Sequence, residues 1–341
     1  MSMETILEAA PAAADADERD TATLDVRVTQ IRYEGKGINS YELRSPSGEP
    51  LPPFDAGAHV DLHLKPGVIR QYSLCNAPAE RHRYLIAVLR DDNGRGGSRA
   101  VHEGLRAGDV VTIGRPRNHF ALAHDAQKVV LIAGGIGVTP LKAMAHELER
   151  RGVAFDLHYC VRSPEAAAFG PELDGMRRAG KLHYHFDAGE AGRQLDIRRL
   201  LAQPTPGTHL YYCGPAGFMA ACADAASHWP GGTVHFEHFK APAQTRRAAD
   251  GAARAGVSDV TIASTGQVVA LKPEQSLADA LNEAGVAVPT SCCAGLCATC
   301  KIRYLEGEVE HNDYILNDDE RREYLTACVS RPAGATLVLD L

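Results

Sequence analysis

Short alternations of apolar and polar residues fill the first third of the chain and give way to continuous apolar runs in its middle. Leu24, Val26, Val28 and Ile31 stand between polar residues in the segment Leu24 to Glu34. The same pattern returns at Asn39 to Ser45, His59 to Leu64, Gln71 to Leu74, Tyr84 to Arg90 and Val110 to Ile113, with Gly and Pro between the segments. Six short strands in about 100 residues predict a closed antiparallel barrel. From Lys128 the period changes. Val129 to Ala133 is an unbroken apolar run, Gly134-Gly-Ile-Gly-Val-Thr-Pro140 follows, and Leu141, Met144, Ala145 and Leu148 then recur at helical spacing. That order predicts a buried strand, a glycine turn and a helix, with Pro140 at the first helical position. Further strand units at Phe155 to Cys160, Leu182 to Phe186 and His209 to Tyr212 alternate with helix-like segments, so a parallel α/β sheet is expected.

Phe239 to Gly256 carries no apolar period and reads as a linker, able to reach on the order of 20 Å as a flexible coil. Beyond it the pattern is strand (Val260 to Ala263), Thr-Gly turn, strand (Val268 to Leu271) and a helix begun after Pro273 with Leu277 and Leu281 one turn apart. A cysteine loop and strands at Lys301 to Tyr304 and Thr336 to Leu339 complete it. This is a β-grasp order. The expected fold is therefore multidomain: a disordered N-terminal extension at 1–24, an antiparallel β-barrel at 25–123, an α/β parallel-sheet domain at 124–239, a linker at 240–256 and a small β-grasp domain at 257–341.

The chain has 341 residues, which suggests about two to three domains. Residues 1–23 hold neither an apolar core nor a basic start, and no stretch approaches the about 18 apolar residues of a membrane helix, so a cytoplasmic protein without a membrane partner is expected. The net charge of -7 argues against nucleic acid as a partner. All of it lies in residues 257–341, which hold 13 Asp/Glu against 6 Lys/Arg. Either this is a solvated acidic face or it steers the last domain onto a basic partner surface, with Asp318, Asp319, Glu320 and Glu323 as candidates.

The most specific chemistry is in the same domain. Cys292, Cys297 and Cys300 form C-x4-C-x2-C, and Cys328 follows after 27 intervening residues. That is plant-type 2Fe-2S spacing, in which a tight loop gives three thiolates and a distant element the fourth. Structural zinc is the competing reading, but zinc ribbons usually pair two C-x2-C knuckles. Disulfides fit poorly with nine cysteines and no secretory start. Cys293 breaks the x4 step and is read as a bystander.

Elsewhere, the turn Gly134 to Pro140 aims backbone donors and a helix N-terminus at a phosphate, although an ordinary strand-to-helix turn looks much the same. Tyr211-Tyr-Cys-Gly-Pro215 sets Cys213, Gly214 and Pro215 at the ligand-binding edge of the same sheet. In the barrel, Arg70-Gln-Tyr-Ser-Leu74 offers a cation, a hydroxylated ring and a small donor, with Arg70 and Tyr72 on one face and Ser73 on the other. Gly94-Arg-Gly-Gly-Ser98 reads as a flexible loop of amides suited to a phosphate.

In that order, Arg70-x-Tyr72-Ser73, Gly134 to Pro140, Cys213-Gly-Pro215 and the four cysteines resemble the phthalate dioxygenase reductase and vanillate demethylase reductase family, within the ferredoxin-NADP reductase superfamily. The resemblance runs from about residue 25 to the end. It implies a flavin barrel, a nicotinamide domain and a C-terminal ferredoxin; because the ferredoxin comes last, it implies FMN. By the same likeness Arg70, Tyr72 and Ser73 would hold the flavin, with Ser73 near its reactive nitrogen, and Gly96, Gly97 and Ser98 would take its phosphate. Gly135, Gly137 and Thr139 would line the NADH pyrophosphate and ribose, Cys213 would sit beside the nicotinamide, and Phe239 would cover the flavin ring. Cys293 departs from the family, whose members commonly have Glu there.

The implied function is an NADH-dependent reductase that converts two-electron transfer into single-electron transfer for a terminal oxygenase, most naturally a Rieske enzyme. The chain has no C-x-H pair for a Rieske centre and no C-x-x-C-H for haem, so the oxygen-activating site lies elsewhere. A cytochrome P450 partner would use the same chemistry. A non-enzymatic redox sensor would not need the flavin and nicotinamide motifs. Arg162 and Ser163 are candidates for a 2′-phosphate, but the resemblance favours NADH.

Overall fold

The computed structural model describes residues 23–65, 68–94, 96–190, 192–240, 258–272 and 275–341. Nearly all of the expected N-terminal extension and linker, and Pro273, lie outside them.

The barrel consists of β1 (Thr23–Gly35), β2 (Ile38–Arg44), β3 (His59–Lys65), β4 (Val68–Ser73), β5 (Tyr84–Leu89) and β6 (Val110–Gly114), with helix α1 (Gly97–Gly104) between β5 and β6. Its strands are ordered β4-β3-β6-β1-β2-β5. A bridge between Leu74 and Ile86 and a 2.8 Å bond from Cys75 N–H to the Leu85 carbonyl join the two ends of that order. Val26 and Val28 of β1 point into the core, but Ile31 is out of phase with them in the sequence. A register slip between Val28 and Gln30 restores the phase, and Ile31 packs against the same cluster.

The second unit runs β7 (Lys128–Gly134), a 3-10 turn at Gly135–Gly137, α2 (Val138–Arg151), β8 (Ala154–Val161), α3 (Gly170–Arg178), β9 (Leu182–Phe186), α4 (Ile197–Leu201), β10 (Thr208–Cys213), α5 (Ala216–Ala225) and β11 (Val234–Glu237). All neighbours in the order β11-β10-β7-β8-β9 are parallel. Buried Val129, Leu131 and Ala133 face one core and Ile132 another, which is why β7 reads as an unbroken apolar run.

The third unit comprises β12 (Ser258–Ile262), β13 (Val268–Leu271), α6 (Leu277–Glu283), β14 (Lys301–Glu310), β15 (Tyr324–Thr326) and β16 (Arg331–Leu339), ordered β13-β12-β16-β14-β15. Helix α6 starts at Ser276, whose hydroxyl accepts from the Asp279 amide at 3.1 Å. No helix among the described residues is long and apolar enough to cross a membrane.

The fold class matches the expectation, with local corrections. Pro140 is the third residue of α2, because the turn before it is a separate 3-10 element that ends at Gly137. The Gly94 to Ser98 segment is not simply a loop: its second half opens α1, with Gly96 as the N-cap at φ 79°. Strands β11 and β15 were not expected. Strand β14 continues six residues past Tyr304, carried by register slips around Gly307 at φ 109°.

Candidate functional site

Strand β4 is the spine of the site. Ser73 at its end donates to Glu237 Oε2 at 3.3 Å. Glu237 ends β11 and is the register partner of Cys213 on β10. The Cys213 carbonyl lies against Gly137, so closely that an added Cβ there would be 2.2 Å from its oxygen. Gly214 meets Gly134 in the same way, where an added Cβ would be 3.1 Å from the Gly134 Cα. The two sequence motifs of the parallel sheet are thus interlocked at its carboxyl edge and tied to the barrel strand through Glu237.

The electrostatics of this junction follow from burial. Burial pushes the Glu237 carboxyl from its ordinary 4.5 up to about 8, against the opposing hydrogen bond from Ser73. Burial, with the Glu237 carboxyl beside it, also raises the Cys213 thiol well above its ordinary value, so Cys213 is a neutral, packed thiol and not a nucleophile. Glu237 was not among the sequence-derived site residues. The signal for it was the short apolar alternation of Val234 and Phe236, which marks the strand that carries it.

At the other end of β4, Arg70 lies over Gly97, where an added Cβ would be 2.3 Å from its Nε. Helix α1 has no side-chain cap and no acidic residue in its first turn. Its first amides and the Arg70 guanidinium therefore form an anion-binding corner, and this donor set fits a flavin phosphate. Gly96 and Gly97 lie at that corner, whereas the Ser98 hydroxyl accepts from the Asp91 amide at 3.0 Å. Tyr72 packs against the barrel core, and burial raises its hydroxyl pKa.

On the nucleotide side, Gly135 has φ 54° with open space around its Cα, and no side chain caps α2. That leaves backbone donors for a pyrophosphate. The Thr139 hydroxyl donates to the Ile136 carbonyl at 3.0 Å and is buried, so it braces the turn. Pro215 packs against Gly134. Arg162 is exposed just past β8, with Ser163 beside it. Phe239, 39% exposed, lies two residues beyond Glu237.

Four of the five cysteines of the third unit converge. Cys292 is in hydrogen-bond contact with Cys297 and Cys328, and Cys328 with Cys300. Left-handed backbone at Cys293, Gly295 and Ala298 folds the loop around them. Backbone amides of Leu296 and Cys328 reach the sulfurs of Cys292 and Cys300 at 3.3 and 3.4 Å, as a negatively charged cluster requires. The four thiols thus form a chain of contacts, Cys297 to Cys292 to Cys328 to Cys300. Among the described residues no three His, Cys, Asp or Glu side chains surround a single ion, and a two-iron cluster asks for two thiolates at each iron. Cys293 is exposed. Of the acidic candidates nearby, Asp319, Glu320 and Glu323 pair with Arg322, Lys301 and Arg303 in their own unit, which offsets part of that charge.

The cysteine loop abuts the barrel. Ser291, next to Cys292, donates to Asp61 Oδ1 on β3 at 3.0 Å. Gln71 on β4 donates to the same oxygen at 3.1 Å, and Arg117 pairs with Oδ2 at 2.7 Å. A continuous path of contacts therefore runs from the glycine turn at Gly137 through Cys213, Glu237, β4 and Asp61 to Cys292.

Residues 260–333 match the model of the 2Fe-2S iron-sulfur cluster binding domain, and residues 131–224 that of the oxidoreductase NAD-binding domain. The tert-butanol monooxygenase / tert-amyl alcohol desaturase reductase subunit of Aquincola tertiaricarbonis is 54% identical over 93% of this chain and 96% of its own. Phthalate dioxygenase reductase, solved as a modular structure for electron transfer from pyridine nucleotides to [2Fe-2S], superposes with a TM-score of 0.70 at 38% identity, covering 95% of this chain and 99% of that one. An intact type IV self-sufficient cytochrome P450 monooxygenase superposes at 0.84 with 34% identity; 98% of this chain is covered, but it spans only 43% of that enzyme.

Proposed function

Because the chain belongs to the phthalate dioxygenase reductase and vanillate O-demethylase reductase family, with an NAD-binding domain and a 2Fe-2S domain, we propose that it is the NADH-oxidising reductase of a two-component, Rieske-type oxygenase and that its flavin is FMN. The observation that carries this reading is the unbroken path of contacts from the glycine turn through β4 to the cysteine loop, which supports three cofactors in series. When bound, nicotinamide, flavin and the 2Fe-2S cluster would supply the redox chemistry that turns a two-electron donor into single electrons.

The protein's own residues bind, align and insulate. Arg70 with the amides of Gly96, Gly97 and Ser98 holds the flavin phosphate; Tyr72 and Ser73 flank the ring, and Phe239 covers it. Gly135, Gly137 and Thr139 shape the dinucleotide turn, and Cys213, Gly214 and Pro215 bound the nicotinamide position. Cys292, Cys297, Cys300 and Cys328 hold the cluster. We assign these roles to the units at 25–123, 124–239 and 257–341. Free thiols throughout the chain suit the reducing cytosol, where NADH is supplied.

An anaerobic titration with NADH, followed by visible absorbance and electron paramagnetic resonance, tests the reading. Flavin bleaching with a rhombic reduced 2Fe-2S signal is expected. Absence of the iron signal, with zinc found instead, overturns it and leaves a flavin reductase. A second reading, service to a cytochrome P450, rests on the likeness to the self-sufficient monooxygenase. Reconstitution with purified Rieske and P450 oxygenases under NADH separates the two. A non-enzymatic sensor predicts no NADH-driven reduction of cytochrome c.

A further inference from the structure

Asp61 belongs to the barrel, yet it makes its most distant contact with the cysteine loop. It is buried on β3, directly opposite Gln71 of β4. Both of its oxygens are engaged: Oδ2 by Arg117, itself nearly buried, and Oδ1 by Gln71 and by Ser291 of the third unit. Gln71 stands between Arg70 and Tyr72, the two residues assigned to the flavin. Ser291 is one residue from the first cluster ligand. The Arg117 ion pair fixes the carboxylate, Gln71 sets it against the flavin strand, and the remaining lone pairs of Oδ1 take the Ser291 hydroxyl. A ring contact of 5.7 Å between His238 and Tyr314 joins the third unit to the end of the parallel-sheet unit as well, but neither ring adjoins a ligand cysteine.

We propose that Asp61 and Ser291 form the latch that docks the cluster loop on the flavin strand, and that they are positioning residues for the flavin-to-cluster step. This rests on the reading given under Proposed function. The latch is built to be reversible. A single hydroxyl-to-carboxylate bond orients the loop, and the partners on the barrel side remain satisfied when it opens, because Arg117 and Gln71 still hold Asp61. The cluster can then leave the flavin to meet its oxygenase without exposing an unpaired buried charge.

The test is Ser291→Ala, which removes the bond and leaves the barrel intact, compared with Ser291→Thr, which keeps the hydroxyl. In anaerobic stopped-flow mixing with NADH, flavin bleaching should stay within about twofold of the native rate. The later cluster phase should slow about tenfold, the fold-change of one charge-assisted hydrogen bond, and Ser291→Thr should recover most of it. In protein stripped of flavin, hydrogen exchange over residues 289–295 should rise in Ser291→Ala alone. An unchanged cluster phase, or equal slowing in both variants, overturns the latch. If Ser291→Ala loses the iron signal, Asp61→Asn, which keeps the side chain's shape and an oxygen for its neighbours and leaves the cysteine loop unaltered, is scored by the same cluster phase. Failure of NADH to bleach the native flavin would instead overturn the functional reading.

Discussion

Ser73 and Glu237, 164 positions apart in the chain, share a 3.3 Å hydrogen bond across the seam between the barrel and the parallel sheet. The bond couples β4, the strand proposed to hold the flavin, to the strand beside Cys213, and its acceptor is a carboxyl held neutral at ordinary pH by burial.

That carboxyl gives the protein a pH signature. The folded chain holds the Glu237 proton up to about 8, whereas the unfolded chain releases it near 4.5. The stability it contributes is therefore full below about 4.5 and is lost as pH rises through about 8. Above that point a carboxylate stands beside β4 and, on the proposed reading that this strand holds the flavin, opposes the arrival of electrons. The rate of flavin bleaching by NADH should fall through pH 8 in the native protein and stay flat in Glu237→Gln. Denaturant unfolding should show the variant gaining on the native protein between about pH 4.5 and 8 and levelling off above that. Parallel profiles for the two would reject the assignment.

The cysteine loop makes a sharper prediction. Cys297→Ser removes a buried thiolate that contacts Cys292, so iron and sulfide content should fall by at least half and the reduced-cluster signal should vanish, while NADH still bleaches the flavin. Cys293→Ser, at an exposed position, should retain full iron content. Iron loss on replacing Cys293 would show that the ligand set had been misread.

How legible this was depended on the range of the contact. The barrel strands stood out because period-2 alternation is a local signal, and the cysteines because cluster geometry sets the spacing of three ligands within one loop. Strand β11 was missed because it is four residues long, at a sheet edge, with Phe236 exposed, so its apolar period covers only Val234 and Phe236. Glu237 was missed with it. Asp61 carries no sequence signal at all: it is one acidic residue in an alternating strand, and its role exists only once Gln71, Arg117 and Ser291 are brought to it. The start of α1 was hidden by its glycines, which read as loop until the Arg70 side chain is seen lying across Gly97.

Lys142 supplies a test of how the first two units are held together. Its fully buried ammonium donates to the Cys75 carbonyl at 2.9 Å, pairs with Glu172 at 2.7 Å and lies over the Phe169 ring. It thus fastens α2, the helix of the nucleotide turn, to the chain just past Ser73. Lys142→Met leaves Glu172 and a buried carbonyl without this partner. Because Glu172 is partly exposed, the cost should be about 2–3 kcal/mol, below that of a fully buried pair. Urea unfolding checks it, and Glu172→Gln added to Lys142→Met should recover part of the loss.

Two glycines separate damage to the fold from damage to the site. At Gly137 an added Cβ meets backbone, the Cys213 carbonyl, and backbone on a buried strand cannot move aside. Gly137→Ala should lower stability by about 3 kcal/mol and raise the KM for NADH, because the two motifs at the sheet edge are forced apart. At Gly97 the nearest atoms are Nε, Cγ and Cδ of Arg70, so the whole side chain, and no backbone, must move aside. Gly97→Ala should lower stability by about 1 kcal/mol, less than Gly137→Ala because a side chain and no backbone must move, yet bind flavin about tenfold more weakly because the guanidinium has left the proposed phosphate corner. Fluorescence titration of the flavin-free protein with FMN reads the second effect and urea unfolding the first. If Gly97→Ala binds flavin normally, Arg70 does not hold the phosphate, and the anion corner at α1 belongs to the helix amides alone.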